Sequence, residues 1–182
     1  MTETYTLNIC GLTRELKKVQ VAPNLKIASF VMLGDTMLIE KTADALYEKL
    51  KSRNDIEIIV SLEAKGIPLA HALSVRLGTN YVVIRKSIKS YMENPIYTEV
   101  KSITTKEPQK IVINGVDATL LKGKNVCIVD DVVSTGGSLK SVERLLELTE
   151  CNVVAKVAVL LEEGGYNGED LTYLAKLPVF PF

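Results

Sequence analysis

Residues 126–138 read Val-Cys-Ile-Val-Asp-Asp-Val-Val-Ser-Thr-Gly-Gly-Ser, and this stretch decides the fold of the chain. The apolar run 126–129 predicts a short buried strand, and two carboxylates, Asp130 and Asp131, follow it at once. In open parallel sheets, ligands bind beyond the carboxyl ends of the strands. Ionised groups at the end of a buried strand are costly without partners, so we interpret the two carboxylates as functional.

The second half of the stretch predicts a phosphate-binding loop. Glycines allow the backbone to curl until consecutive N–H groups converge, and the N-terminus of the helix predicted next adds a partial positive charge. Hydroxyl groups can donate to phosphate oxygens, whereas the carboxylates can accept from a diol. Together they predict a ribose 5-phosphate site formed by Asp130, Asp131, Val132, Val133, Ser134, Thr135, Gly136, Gly137 and Ser138. A serine-glycine turn that only caps a helix is the alternative, and it leaves the carboxylates unexplained.

Outside this stretch, short apolar runs alternate with helical patterns. Strands are predicted at 56–62, 81–84, 126–129 and 153–161, and helices at 36–51, 67–77 and 139–149. Continuously apolar strands that alternate with helices predict a parallel sheet covered on both faces. Residues 4–21 alternate in places around Cys10-Gly11 and predict an N-terminal β-hairpin. The predicted fold class is therefore α/β, a parallel sheet flanked by helices.

Composition narrows the class of protein further. The chain has 182 residues, which predicts a single domain (1–182), and its formal net charge of zero lacks the basic surplus typical of nucleic-acid binders. Three widely spaced cysteines predict free thiols in a reducing compartment. No apolar run approaches the roughly 18 residues that cross a membrane. With no signal-peptide pattern at the start, we expect a cytoplasmic protein without membrane or nucleic-acid partners.

The stretch 126–138 resembles the phosphoribosyl pyrophosphate (PRPP) signature of type I phosphoribosyltransferases, and the similarity continues from about Leu25 to the C-terminus. This resemblance implies transfer of a phosphoribosyl group from PRPP to a purine base in purine salvage. It also implies a small hood built from about 1–35 and 165–182, and Mg²⁺ bound through PRPP with no direct protein ligand. A homodimer is the expected assembly.

A second anion site is predicted where Glu63-Ala-Lys-Gly66 follows the strand 56–62. Such a turn often only connects two elements, but the resemblance assigns Ala64, Lys65 and Gly66 to the pyrophosphate of PRPP. The basic residues Arg85, Lys86 and Lys89 follow the next strand on the same edge. They are either a solvated charge run or, as their placement favours, groups that neutralise pyrophosphate.

The stretch 91–109 has no clear period and is interpreted as a long irregular loop, which in a compact domain is often a lid. The alternative is plain surface disorder. Family members carry a mobile loop here, and residues 97–102 partly resemble its core. Adenine enzymes use a loop glutamate as proton donor to the base, and Glu99 is the counterpart, although its flanking residues differ from theirs.

Residues outside the stretch 126–138 are expected to determine which purine base is bound. Leu25, Ile27 and Phe30 lie in a segment that aligns with the hood of adenine and xanthine enzymes, and we predict that they pack against the base unless they belong to the core. Met32 stands where xanthine enzymes have asparagine, and residues 174–180 resemble the end of adenine enzymes. Residues 100–112, in contrast, are more similar to xanthine enzymes. Adenine is therefore the predicted substrate base, with xanthine or hypoxanthine/guanine as alternatives. A non-catalytic PRPP-sensing regulator is the alternative of another class.

Overall fold

The computed structural model describes residues 3–100 and 109–182. The helices are α1 (Thr36–Leu50), α2 (Ile67–Leu77), α3 (Gly115–Leu121) and α4 (Gly137–Glu147). The strands are β1 (Thr4–Ile9), β2 (Leu12–Ala22), β3 (Leu25–Ala28), β4 (Ile58–Leu62), β5 (Asn80–Ile84), β6 (Ile96–Val100), β7 (Gln109–Ile113), β8 (Asn125–Val133), β9 (Asn152–Glu162), β10 (Leu171–Leu177) and β11 (Val179–Pro181). No helix in these residues is long and apolar enough to cross a membrane.

The centre of the molecule is a five-stranded sheet in the order β10-β9-β8-β4-β5, with every neighbouring pair parallel. Side chains alternate between its two faces, because successive residues of a strand point in opposite directions. Leu46 of α1 and Leu73 of α2 pack with Ile59 and Val129 on one face. Leu145 of α4 packs with Val60 in the cluster on the other face. The predicted α/β fold with a parallel sheet flanked by helices is confirmed.

A smaller antiparallel sheet joins the two ends of the chain in the order β1-β2-β3-β11. The hairpin predicted at 4–21 is present as β1 and β2, with Cys10 and Gly11 at positive φ in its turn. In the C-terminal segment predicted for the hood, 165–182, strand β10 pairs with β9 in the central sheet. Within the described residues, only the short β11 joins the antiparallel sheet from the C-terminal side.

Several elements differ from the sequence prediction. Strand β8 continues through both carboxylates to Val133, since β9 pairs with it as far as Leu161. The stretch interpreted as irregular, 91–109, contains β6 and the first residue of its antiparallel partner β7, and Val112 of β7 also bridges to Arg85. Helix α3 was not predicted; it has only seven residues and no side-chain cap, so it is too short to show a helical period.

Candidate active site

The three predicted anion-binding segments follow three strands that lie side by side. Strand β4 pairs with β8 at Ser61 and Val129, and with β5 at Leu62 and Ile84. Because the strands are parallel, their carboxyl ends meet at one edge of the sheet. The carboxylate pair, the Glu63–Gly66 loop and the Arg85-Lys86 pair are therefore neighbours, as ligand binding at such an edge requires.

Asp130 and Asp131 are consecutive residues near the end of β8, and their side chains lie close enough to interact. Asp131 is buried, with 3% of its surface exposed, whereas Asp130 is half-buried. The backbone N–H of Asp131 donates to Oδ1 of Asp130 at 2.9 Å. Oδ2 of Asp131 lies 3.0 Å from Nζ of Lys65, an ion pair that lacks hydrogen-bond geometry. This ion pair joins the carboxylates to the Glu63–Gly66 loop.

Asp131 lies close enough to Asp130 to raise the free energy of the ionised form of Asp130. Burial, and then the charge of Asp131, raise the pKa of Asp130 from 3.8 to about 7, while the Asp131 N–H and Lys65 oppose the shift. A group with so high a pKa binds and releases a proton near neutral pH, as functional carboxylates often do.

This raised pKa predicts a pH-dependent loss of stability. Between pH 4 and 7 the folded state keeps the Asp130 proton that the unfolded chain has released, so the free energy of unfolding falls as pH rises. In the variant Asp130→Asn this contribution is absent. We expect the unfolding midpoint of the variant, relative to that of the wild type, to rise from pH 5 to pH 7.5 in calorimetric scans. A constant difference across this range would contradict the assigned pKa.

The Ser-Thr-Gly-Gly-Ser loop forms a small cavity of about 100 Å³ that Asp130 and residues 132–139 line. Gly136 has a φ of 80°, a left-handed conformation that suits glycine, and it turns the chain from β8 into α4. No side chain caps the N-terminus of α4, so its first N–H groups are open to an anion. Thr135 and Ser138 are exposed at the cavity, whereas the Ser134 hydroxyl donates to Glu162 Oε1 at 2.7 Å.

The Glu63–Gly66 loop is held between β8 and β5. A Cβ atom on Gly66 would lie 2.6 Å from Oγ of the buried Ser61, so the loop approaches the sheet more closely than a larger residue allows. Oε1 of Glu63 accepts from the Lys86 N–H at 2.6 Å, and Oε2 lies 3.3 Å from Nη1 of Arg85. Helix α2 begins directly after this loop, also without a side-chain cap. The edge thus presents two open helix N-termini and two cationic side chains.

Comparison with known proteins agrees with this geometry. Residues 32–178 match the phosphoribosyl transferase domain family. The chain belongs to the phosphoribosyltransferase family. The resemblance seen in residues 126–138 is thereby confirmed.

Individual members of this family are similar over much of the chain. A hypoxanthine/guanine phosphoribosyltransferase of Methanothermus fervidus is 37% identical over 130 residues, which are 71% of this chain and 65% of that protein. The chain thus spans slightly less than two thirds of that relative. A hypoxanthine/guanine phosphoribosyltransferase of Methanohalophilus mahii is 32% identical over 143 residues, 75% of this chain and 70% of that protein.

Among solved structures, adenine phosphoribosyltransferase from Thermoanaerobacter pseudethanolicus superposes with a TM-score of 0.71. The match covers 88% of this chain and 95% of that one at 22% sequence identity, so it shows a shared fold. The predicted resemblance to purine phosphoribosyltransferases is confirmed, since the relatives in sequence are named hypoxanthine/guanine phosphoribosyltransferases.

Apart from the base-packing candidates, the remaining predicted site residues outside the three anion-binding segments are Lys89, Glu99 and those of the predicted lid. Lys89 is half-buried, and its Nζ donates to Ser87 Oγ at 2.6 Å. Glu99 lies on β6 with 54% of its side chain exposed and has Nζ of Lys110 at 3.9 Å. The predicted lid falls partly on residues 101–108, which lie outside the described residues.

The base-packing candidates belong to the antiparallel sheet and its surroundings. Leu25 and Ile27 are half-buried on β3, opposite Pro181 and Val179 of β11. Phe30 is 3% exposed and packs in the main hydrophobic core, as the core alternative for this residue requires. Met32 is fully buried in the same core.

Sequence reasoning missed two acidic residues and one aromatic residue at this edge. Glu63 stood inside the quoted Glu-Ala-Lys-Gly motif but was assigned no role, although it organises Arg85 and Lys86. Glu162, the last residue of β9, and Tyr166, which follows β9, contact the phosphate loop. No local pattern marks them, because their partners lie far away in the sequence.

Proposed function

We propose that this protein transfers the 5-phosphoribosyl group of PRPP to a ring nitrogen of a purine base and releases pyrophosphate. The observation that carries the proposal is the 3.0 Å ion pair between Lys65 and Asp131. It joins the loop that the family resemblance assigns to pyrophosphate with the carboxylates that it assigns to ribose. PRPP carries both groups on one sugar, so a site for it needs both loops in contact.

Each part of the edge has a chemical task in this reaction. The Ser134–Ser138 loop and the N-terminus of α4 bind the 5-phosphate. Asp130 and Asp131 accept hydrogen bonds from the ribose hydroxyls and favour the positive character that the sugar develops. Lys65, Arg85 and the N-terminus of α2 stabilise the charge that grows on pyrophosphate as its bond to C1 breaks. The purine nitrogen forms the new bond to C1 as the bond to pyrophosphate breaks, and the proton of that nitrogen leaves to solvent or to pyrophosphate. Glu99 remains our proposal for the proton donor to the purine base.

A magnesium ion fits this set of residues when it arrives with PRPP. Carboxylate oxygens are the hard ligands that Mg²⁺ prefers, and Oδ2 of Asp131 accepts no hydrogen bond within the described residues. When bound together with PRPP, Mg²⁺ would supply Lewis-acid stabilisation of the leaving group. We propose binding mainly through PRPP, with Asp130 and Asp131 oriented toward it.

The identity of the purine rests on two lines of support. Adenine is our first candidate, because the sequence motif Ser-Thr-Gly-Gly-Ser and residues 174–180 are similar to the corresponding sequences of adenine enzymes. Hypoxanthine or guanine is the second candidate, since the relatives at 32–37% identity carry that name. Leu25, Ile27 and Phe30 stay our proposal for contacts with the base. A homodimer is proposed on the same family resemblance, and a cytoplasmic location and a single domain remain our proposals.

A panel of bases separates the enzyme from a PRPP sensor. We expect pyrophosphate release that requires PRPP, Mg²⁺ and one purine, measured in parallel reactions with adenine, hypoxanthine, guanine and xanthine. Turnover with adenine supports the first candidate, and turnover with hypoxanthine or guanine supports the second. Tight binding of PRPP without release in any of the four reactions would support the sensor and contradict the proposed enzyme.

A further inference from the structure

The segment Glu162–Asp170, here called the brace, lies against the phosphate loop. Glu162 accepts the Ser134 hydroxyl at 2.7 Å, and the Tyr166 N–H donates to the Ser134 carbonyl at 2.7 Å. A Cβ atom on Gly165 would overlap with the same carbonyl oxygen. Ser134 is therefore held by its side chain, by its backbone and by close packing. The sequence analysis gave these brace residues no role in phosphate binding.

Tyr166 covers the turn of the phosphate loop. A Cβ atom on Gly136 would overlap with the Tyr166 ring, so the ring lies directly on the glycine that turns the chain into α4. The ring also packs with Val133 and Leu171 in a small apolar cluster. This contact limits how far the backbone N–H groups around Gly136 can move.

The brace is fixed at its far end to the helix that it positions. The Tyr166 hydroxyl donates to Oδ1 of Asp170 at 2.6 Å. Nζ of Lys156, on β9, contacts both Asp170 and Glu143, and Glu143 lies on α4. Lys156 is 9% exposed, so its charge is held inside the protein by these two partners. The chain of contacts runs from the phosphate loop through Tyr166 and Asp170 back to α4.

We propose that the brace sets the geometry of the 5-phosphate site and that Tyr166 is its positioning residue. The inference rests on the proposed function, because the ligand it concerns is the phosphate monoester of PRPP. Tyr166 acts through Gly136 and Ser134 and does not itself take part in the displacement at C1. Its loss disturbs phosphate binding much more than the chemical step.

Truncation of the ring tests this role. We expect Tyr166→Ala to raise KM for PRPP by about tenfold or more while kcat stays within about threefold, because misplaced binding groups weaken substrate binding. Tyr166→Phe keeps the ring over Gly136 and should restore KM to near the wild-type value. Tyr173→Ala is the matched control, since Tyr173 packs against the same apolar cluster. Equal KM changes in Tyr166→Ala and Tyr173→Ala would reduce Tyr166 to a packing residue and overturn the proposal.

A pair of glycine variants tests the contact with Ser134 independently. Gly165→Ala places a methyl group against the Ser134 carbonyl, whereas Gly164→Ala meets nothing within 4 Å although its φ is 73°. We expect Gly165→Ala to raise KM for PRPP and Gly164→Ala to lower only the unfolding midpoint. A higher KM for PRPP in Gly164→Ala than in Gly165→Ala would contradict the proposed role of the brace.

Titration with ribose 5-phosphate separates failure of the brace from failure of the proposed function. Calorimetry of the wild type should show binding that Tyr166→Ala weakens by about tenfold, in line with the expected KM change. Wild-type binding with unchanged affinity in Tyr166→Ala overturns the brace alone. Absence of binding to the wild type, together with absence of PRPP turnover, overturns the proposed function on which the brace rests.

Discussion

Replacement of both Asp130 and Asp131 by asparagine is expected to lower kcat/KM for PRPP by about a thousandfold. A hydrogen bond to a charged group contributes roughly 1.5–3 kcal/mol, and two such bonds to the ribose hydroxyls total about 3–6 kcal/mol. Each 1.36 kcal/mol is about tenfold in rate, so the loss lies between about 10² and 10⁴. Steady-state kinetics with the preferred purine measure this change.

The same double variant should fold at least as well as the wild type. Burial and the charge of Asp131 raise the pKa of Asp130, so the ionised form of Asp130 is unfavourable in the folded protein at neutral pH. Asparagine removes the mutual repulsion of the two carboxylates, although it also leaves Lys65 without its ion pair. We expect an unfolding midpoint equal to or above that of the wild type in calorimetry.

Asp55→Asn provides the control for this variant. Asp55 precedes β4 at the opposite end of the strand from the site, and it pairs with Arg53 in an exposed position. Its replacement should leave kcat/KM for PRPP unchanged. Undiminished turnover in the Asp130→Asn/Asp131→Asn protein would contradict the assignment of these carboxylates to the site. Equal losses of kcat/KM in this protein and in Asp55→Asn would contradict it as well.

Gly136→Ala is expected to raise KM for PRPP by about a hundredfold, because displacement of binding groups by about 1 Å can cost that much. Two effects combine at this position. The φ of 80° is strained for alanine, and the added methyl group overlaps with the Tyr166 ring. Either the ring or the phosphate loop must move, and the N–H groups that bind phosphate move with the loop. The kinetics are measured at saturating purine with PRPP varied.

Gly123→Ala is the matched control for backbone strain. Gly123 has a φ of 71°, meets nothing within 4 Å, and lies in the turn before β8, at the end of the strand away from the site. Its substitution should cost about 1–2 kcal/mol of stability from the left-handed conformation alone. KM for PRPP should stay at the wild-type value. Equal KM values for the two variants would show that the conformation of Gly136 does not matter for PRPP.

The sequence was sufficient to predict the central sheet and the edge at which the candidate site residues meet. Strand β4 and helix α2 have clear apolar patterns, and the helix predicted at 67–77 is present with these bounds. The phosphate loop was predictable because glycine, hydroxyl and carboxylate residues occur together in 126–138. Each of these features depends on residues that are close in the sequence, so a local pattern reveals it.

Other features depend on partners that are distant in the sequence. Strand β10 was assigned to the hood because its parallel partner β9 is fixed by the tertiary fold and leaves no mark on residues 171–177. The pairing of Lys65 with Asp131 and the contact of Tyr166 with Gly136 arise only when separate strand ends meet. Strands β6 and β7 form a two-stranded sheet of their own, separate from the central sheet whose pattern predicted the fold.

Formation of a nucleoside monophosphate tests the central claim most directly. Purified protein is incubated with PRPP, Mg²⁺ and a radiolabelled purine, and the nucleotide and pyrophosphate are quantified in the same sample. We predict equimolar nucleotide and pyrophosphate with adenine or with hypoxanthine or guanine, and neither product from the Asp130→Asn/Asp131→Asn variant above about a thousandth of the wild-type rate. Pyrophosphate without labelled nucleotide, or no product from any of the four bases, would contradict phosphoribosyl transfer to a purine.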